Sequence, residues 1–165
     1  MKKKIVIITF ICIIVDFISK ILVTNNMDLG DSITIIPSFF SISYVQNTGA
    51  AWGMFSNGTL ILAVVSVVFL FFAIKYIYEA KNISKLSMFS YGMLLGGIIG
   101  NLIDRLFRNY VIDFLSFNIF GYSFPVFNIA DCFIVVSIFL IVIETLLKEG
   151  KKWLQIKKIL ELINI

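Results

Sequence analysis

The chain has 165 residues, 59% hydrophobic and 15% charged, with a net charge of +4; its length suits one domain, and its composition is that of a membrane protein, not a soluble one. Histidine is absent, which removes the usual general base, the commonest metal ligand and every Ser-His or Cys-His nucleophile pair, leaving carboxylates, lysine or backbone for any catalysis. The basic residues cluster beside apolar runs and not in a soluble basic domain, so the positive charge reports topology, and no nucleic-acid partner is expected.

Lys2, Lys3 and Lys4 precede the first apolar run, residues 5–23. That is about the 20 residues a helix needs to cross roughly 30 Å of hydrocarbon. A cleavable secretory signal begins in the same way, but no A-x-A-like site follows, and Asp16 and Lys20 interrupt the far end of the run. A permanent first helix is expected. Cys12 is no lipid-attachment site, because Ile11 stands where a small residue is wanted; Cys12 and Cys132 both lie in apolar runs without CxxC spacing and read as buried apolar residues. Asp16 and Lys20 are one helical turn apart on one face. A charged group at mid-membrane costs about 2.5–3.5 kcal/mol, so each is a functional candidate, although a self-neutralising ion pair explains them too.

Residues 24–59 lie outside the bilayer. Apolar and polar residues alternate over 32–36, Pro37 breaks the pattern, and Phe40, Ile42 and Tyr44 then alternate with Ser41 and Ser43. A small twisted β-sheet on the outer membrane surface is expected. The second and third spans are residues 60–78 and 88–106, with Lys75, Lys81 and Lys85 around their connection. Gly92, Gly96 and Gly100 in the third span form a small-xxx-small ladder for close helix approach. Asn101, Asp104 and Arg105 follow, with Asn101 and Arg105 on one face at i, i+4. A polar lock between helices accounts for these three as well as binding does.

The second outer segment, 107–128, carries a short strand candidate at 110–112 and turn residues at Asn118 and Gly121. The fourth span is 129–147. Lys148, Lys151, Lys152, Lys157 and Lys158 follow it, in a tail of residues 148–165 where Trp153, Ile156, Leu160 and Ile163 recur at helical spacing. An interfacial helix on the inner leaflet is expected there, with a frayed basic tail as the alternative. All fourteen basic residues except Lys20, Arg105 and Arg108 thus fall on one face of a four-span chain. The positive-inside rule makes that face, with both termini, cytoplasmic.

Asp113 stands among apolar neighbours just outside the third span, and Asp131 stands at the start of the fourth, at the same outer interface. Without histidine, a metal-free carboxylate pair has a well-known hydrolytic use: one takes a proton from water while the other, protonated, polarises a carbonyl. Two such groups close together titrate as a unit, and a place in the first helical turn favours charge on Asp131. Two independent interfacial aspartates remain the alternative on spacing alone.

Read together, these segments resemble the lipoprotein signal peptidases, or type II signal peptidases. Asp16-Phe-Ile-Ser-Lys20 is similar to the family's D-x-x-x-K, and Asn47-Thr48-Gly49-Ala50-Ala51-Trp52-Gly53 to its N-x-G-A-A-[WF]-[GS]. Gly97 to Arg105 resembles G-x-x-G-N-x-x-D-R, Val111 to Phe114 resembles V-x-D-F, and Phe124 to Asp131 resembles F-P-x-F-N-x-A-D. Five motifs in order cover nearly the whole chain. The resemblance implies an all-α membrane protein, residues 1–165 forming one domain of four transmembrane helices plus a small extracytoplasmic sheet that cradles substrate, with the loop between the third and fourth helices as a gate. It implies Asp113 and Asp131 as catalytic dyad, with Asp16, Lys20, Asn47, Gly49, Ala51, Asn101, Arg105, Asn128 and Ala130 supporting it or touching substrate. It further implies a diacylglyceryl-modified prolipoprotein substrate cut before the lipidated cysteine, in the bacterial plasma membrane. No metal or cofactor, inhibition by globomycin-type lipopeptides and a monomer are expected.

Two competing readings make different demands. A small channel or transporter, with Asp16, Asp104, Asp113 and Asp131 along an ion path, predicts an internal repeat or broken mid-membrane helices, and the sequence has neither. A presenilin-like protease wants a GxGD signature, which is also absent.

Overall fold

The computed structural model describes residues 2–49 and 58–162. The elements run α1 (Lys2–Asn26), β1 (Ser32–Ile36), β2 (Phe40–Asn47), α2 (Thr59–Glu79), α3 (Lys85–Arg108), β3 (Val111–Ile119), β4 (Tyr122–Ser123) and α4 (Ile129–Leu162). Each of the four helices is long and apolar enough to cross a membrane. The strands form one antiparallel sheet in the order β1-β2-β3-β4. The connections place this sheet at one end of the bundle and the lysine-rich helix ends at the other. The fold class expected from the sequence is therefore the observed one.

α3 is the central helix. Its apolar stretch is 67% buried, against 11% for α2, which rests on α3 and otherwise presents apolar side chains to the surroundings. Glycine is what lets α3 take this place. A methyl on Gly92 would sit 2.6 Å from Ile8 Cβ, one on Gly96 2.5 Å from Cys12 Cβ, and one on Gly100 2.6 Å from Asp16 Oδ2, all on α1. Gly97, turned the other way, backs onto the Ala130 carbonyl of α4. The small-residue ladder of the sequence thus packs α1, and a fourth glycine beside it packs α4.

The sheet is fastened to the end of α1. Tyr44, Ile112 and Phe114 bury themselves against Val23 and Met27. A register shift between Ile42 and Val45 in the β2–β3 pairing accompanies this inward turn of Tyr44. Two expectations need correction. The third strand is longer than the 110–112 expected: past the buried stretch Val111 to Phe114 it runs on through Leu115-Ser116-Phe117-Asn118-Ile119, whose apolar–polar alternation suits a half-buried strand. The tail forms no separate interfacial helix; α4 runs unbroken past Lys148 to Leu162, helped across by the Lys148–Glu144 ion pair at i, i+4 (2.7 Å). At that end Ser84 caps α3 by accepting from the Ser87 amide (2.9 Å), and Ser87 Oγ donates to Glu144 (2.7 Å), a tie between α3 and α4 that the sequence did not reveal.

Candidate active site

The start of α4 is set by Asn128 and Asp131. The Asp131 amide donates to Asn128 Oδ1 (3.0 Å) and the Asn128 amide donates to Asp131 Oδ2 (3.1 Å), a reciprocal capping box. This local arrangement would exist in any well-capped helix. What makes it a site is the second use of the same groups. Asn128 Nδ2 reaches across to β3 and donates to Asp113 Oδ1 (2.7 Å), so one fully buried asparagine binds both carboxylates.

Asp113 is 3% exposed and its other oxygen, Oδ2, accepts from Asn47 Nδ2 on the neighbouring strand β2 (2.8 Å). Asn47 is itself held by the Gly49 amide donating to its Oδ1 (2.9 Å). Burial pushes the Asp113 carboxyl up to about 7; the nearby negative charge of Asp131 adds to this, while the Asn47 and Asn128 donors work against it.

Asn101, on α3, completes the frame. Its Nδ2 donates to Asp131 Oδ1 (2.7 Å), and its Oδ1 accepts from Asn128 Nδ2 (3.1 Å) and from Lys20 Nζ (3.0 Å). The amide cannot be turned over without setting donor against donor on the Oδ1 side. Lys20 also pairs with Asp16 (2.8 Å) and Asp104 (2.9 Å), and Arg108 takes the other oxygen of Asp104 (3.1 Å). Two buried carboxylates thus face two cations, the compensation that buried charge requires. The far oxygen of Asp16 accepts from the Ala130 amide (3.0 Å), and Asp104 Oδ2 accepts from the Ile112 amide (3.3 Å), which tie this layer to α4 and to β3. Among the described residues no buried polar side-chain atom lacks a partner.

Above this layer lies a cavity of about 610 Å³. Asn47, Gly49, Asn101, Arg105, Asp113 and Asp131 make its polar wall, and Val111, Cys132, Val135, Val136 and the segment Phe124-Pro125-Val126-Phe127 its apolar one. Phe127 is drawn onto β3 by backbone bonds to Phe114 and Leu115 (2.7–3.1 Å) and stacks on Phe117, which stacks in turn on Phe40. Val135 and Val136 are exposed on the outside of α4, so the cavity extends from the paired carboxylates to the apolar flank of the bundle.

The structure therefore brings Asp113, Asp131, Asn47, Gly49, Asn101 and Arg105 to one cavity. Asn128 lies buried between the carboxylates, and Asp16, Lys20 and Ala130 lie behind the cavity wall. Ala51 falls outside the described residues. Asp16 and Asp104 are both ion-paired on Lys20. Cys12 is buried as expected, but Cys132 is half-buried and lines the cavity, because it follows Asp131 at the mouth of α4. Neither Arg108 nor the Lys20–Asp104 pair stands out in the sequence. The i, i+4 spacing of Asp104 and Arg108 was the available signal for the first; the second joins two helices and had none.

Comparison with known proteins follows the same outline. The family model described as signal peptidase (SPase) II matches residues 8–147. Two solved structures, both described as bacterial membrane enzymes studied by the in meso method, are similar to this chain at 32% sequence identity. One has a TM-score of 0.83 and the match covers 90% of each chain. The other has a TM-score of 0.77, with 86% of this chain and 92% of that chain covered.

Proposed function

Since the chain belongs to the signal peptidase II family, we propose that it is an aspartyl endopeptidase that removes the signal peptide from diacylglyceryl-modified prolipoproteins, cutting just before the lipidated cysteine. The observation that carries this reading is the single buried Asn128, whose side chain and amide hold Asp113 and Asp131 on one cavity wall. A carboxylate pair held by fixed amide donors, beside an apolar opening on the flank of the bundle, suits a peptide bond delivered within the bilayer by an apolar helix and two acyl chains.

In the proposed reaction Asp131 begins ionised, its oxygens accepting from Asn101 and from the Asn128 amide, and Asp113 begins protonated. Asp131 takes a proton from water as the water oxygen bonds to the scissile carbon, and Asp113 gives its proton to the carbonyl oxygen. The neutral gem-diol then returns a proton to Asp113 while Asp131 protonates the amide nitrogen, and the C–N bond breaks. One water is consumed, a carboxylic acid and an amine are released, and the dyad is back in its starting state. Asn47, Asn101 and Asn128 hold the carboxylates through this cycle, so no reorganisation is needed as charge moves. The lysine-rich end is cytoplasmic in this reading, the sheet and cavity lie at the outer face, and the enzyme works as a monomer sensitive to globomycin-type lipopeptides.

The test is cleavage of a diacylglyceryl-modified prolipoprotein and its unlipidated twin by the purified protein, read by mass spectrometry with and without a chelator. Cleavage before the modified cysteine alone, unchanged by the chelator, is expected. Absence of cleavage by well-folded protein would overturn the reading.

A further inference from the structure

Arg105 is the cation that the buried network leaves over. It sits one helical turn beyond Asn101 on the same face of α3, half-buried, on the polar wall that carries Asp113 and Asp131. Asp104 next to it is already taken by Lys20 and Arg108, and Arg105 forms no ion pair among the described residues. Its guanidinium carries five N–H donors, yet the one hydrogen bond found for it among those residues is a long contact from Nη1 to the Asn101 carbonyl of its own helix (3.5 Å). Residues 50–57 contain no aspartate or glutamate to occupy it. A planar, permanently charged fork that faces a cavity and is paired with no carboxylate among the described residues is matched by one, which it can bind through two parallel hydrogen bonds.

The reaction proposed above makes such a group in the cavity. Before cleavage the substrate carries no charge at the scissile bond; afterwards the released signal peptide ends in a carboxylate, ionised above a pH of about 3.5. That new charge arises beside the dyad, which already holds one negative charge, and the amides of Asn47, Asn101 and Asn128 are turned toward the dyad's own oxygens. We infer that Arg105 receives the carboxylate created by cleavage, and that the enzyme therefore holds the acid form of the released signal peptide in preference to any uncharged form. This rests on the peptidase reading. It adds a role after the bond is broken, in which Arg105 offsets the repulsion between product and dyad and sets the rate at which the signal peptide leaves.

The experiment measures direct binding to the full-length protein in lipid nanodiscs, using one synthetic apolar signal peptide ending in a free carboxylate and the same peptide ending in a carboxamide. Wild type is expected to bind the acid about tenfold or more tightly than the amide, the difference one well-placed charge-assisted contact makes. Arg105→Gln should bring the ratio close to one, and Arg105→Lys should keep part of it. Equal affinities in wild type, or a preference that survives in Arg105→Gln, overturn the inference; the wild-type comparison needs no variant to fold. Binding is read without turnover, so a protein that cleaves prolipoprotein but does not tell acid from amide disproves the role of Arg105 alone. One that never cleaves disproves the peptidase reading itself.

Discussion

Asn128 uses every polar atom it has. Its backbone amide donates to Asp131 and its carbonyl accepts from Cys132, while its side-chain oxygen accepts from Asp131 and its side-chain nitrogen donates to Asp113 and Asn101. At this scale the two aspartates are unequal partners, since among the described residues the Asp113 carboxylate is held by side-chain amides and that of Asp131 also by a backbone amide at a helix start. Asp113→Asn and Asp131→Asn should each lower cleavage by at least about 10²–10⁴-fold, the usual contribution of a general acid or base, while thermal unfolding still shows a folded protein; near-normal cleavage by either variant would remove the dyad assignment. With the Asp113 carboxyl at about 7, its protonated form prevails below that pH, so kcat/KM should fall as pH rises through about 7. The same shift bears on stability. The folded protein keeps a proton that the unfolded chain loses near 3.8, so this group contributes stability on the acid side that is lost as pH rises from about 4 through 7. The melting temperature of wild type relative to Asp113→Asn should decline over that window.

At the scale of elements, the glycines of α3 set how closely α1 and α4 approach it. Gly92, Gly96 and Gly100 let α1 close on α3, and this brings Lys20 within reach of Asn101 and Asp104. Gly97 lets the first turn of α4, with Asp131, lie against the same helix. A methyl at Gly97 meets backbone, which cannot rotate away, so Gly97→Ala should cost about 1–3 kcal/mol by overpacking and lower turnover by moving Asp131 relative to Asp113. Gly150, also in α4, has open space around it, and Gly150→Ala should be neutral or slightly stabilising. Thermal unfolding of the two variants side by side checks this, and equal behaviour would show that the α3–α4 approach is not tight. The small-residue spacing was legible in the sequence. The partner of each glycine was not, because a spacing states that a helix is narrow there without saying what approaches.

For the whole molecule, the arrangement sets two chemistries at opposite ends of one bundle: a sheet and a polar cavity at one, lysines and an extended α4 at the other. The orientation proposed from the lysines predicts how single cysteines label in a background with Cys12 and Cys132 replaced. Phe120→Cys, at the fully exposed β3–β4 turn, should react with a membrane-impermeant thiol reagent on intact cells. Gly150→Cys should react only after permeabilisation; the reverse pattern would invert the topology. The apolar surfaces of α1, α2 and α4 need no further explanation in such a molecule, since they face hydrocarbon.

The sequence by itself determined the four spans, the glycine ladder, the two segments between spans that carry the sheet, and the motifs that single out Asp113 and Asp131. These follow from local length, periodicity and residue type, which a chain carries wherever it folds. Only the tertiary structure decided what the polar residues do for one another. Asp16 and Lys20 look like a self-contained pair in one dimension, but Lys20 also bonds to Asp104 and Asn101 on another helix, and Asp16 also takes the Ala130 amide of a third element. The physical reason is that a buried polar group must satisfy all of its hydrogen-bonding capacity, and for most of these side chains the partners come from elements far apart in the chain, brought together when α1 and α4 close on the glycines of α3.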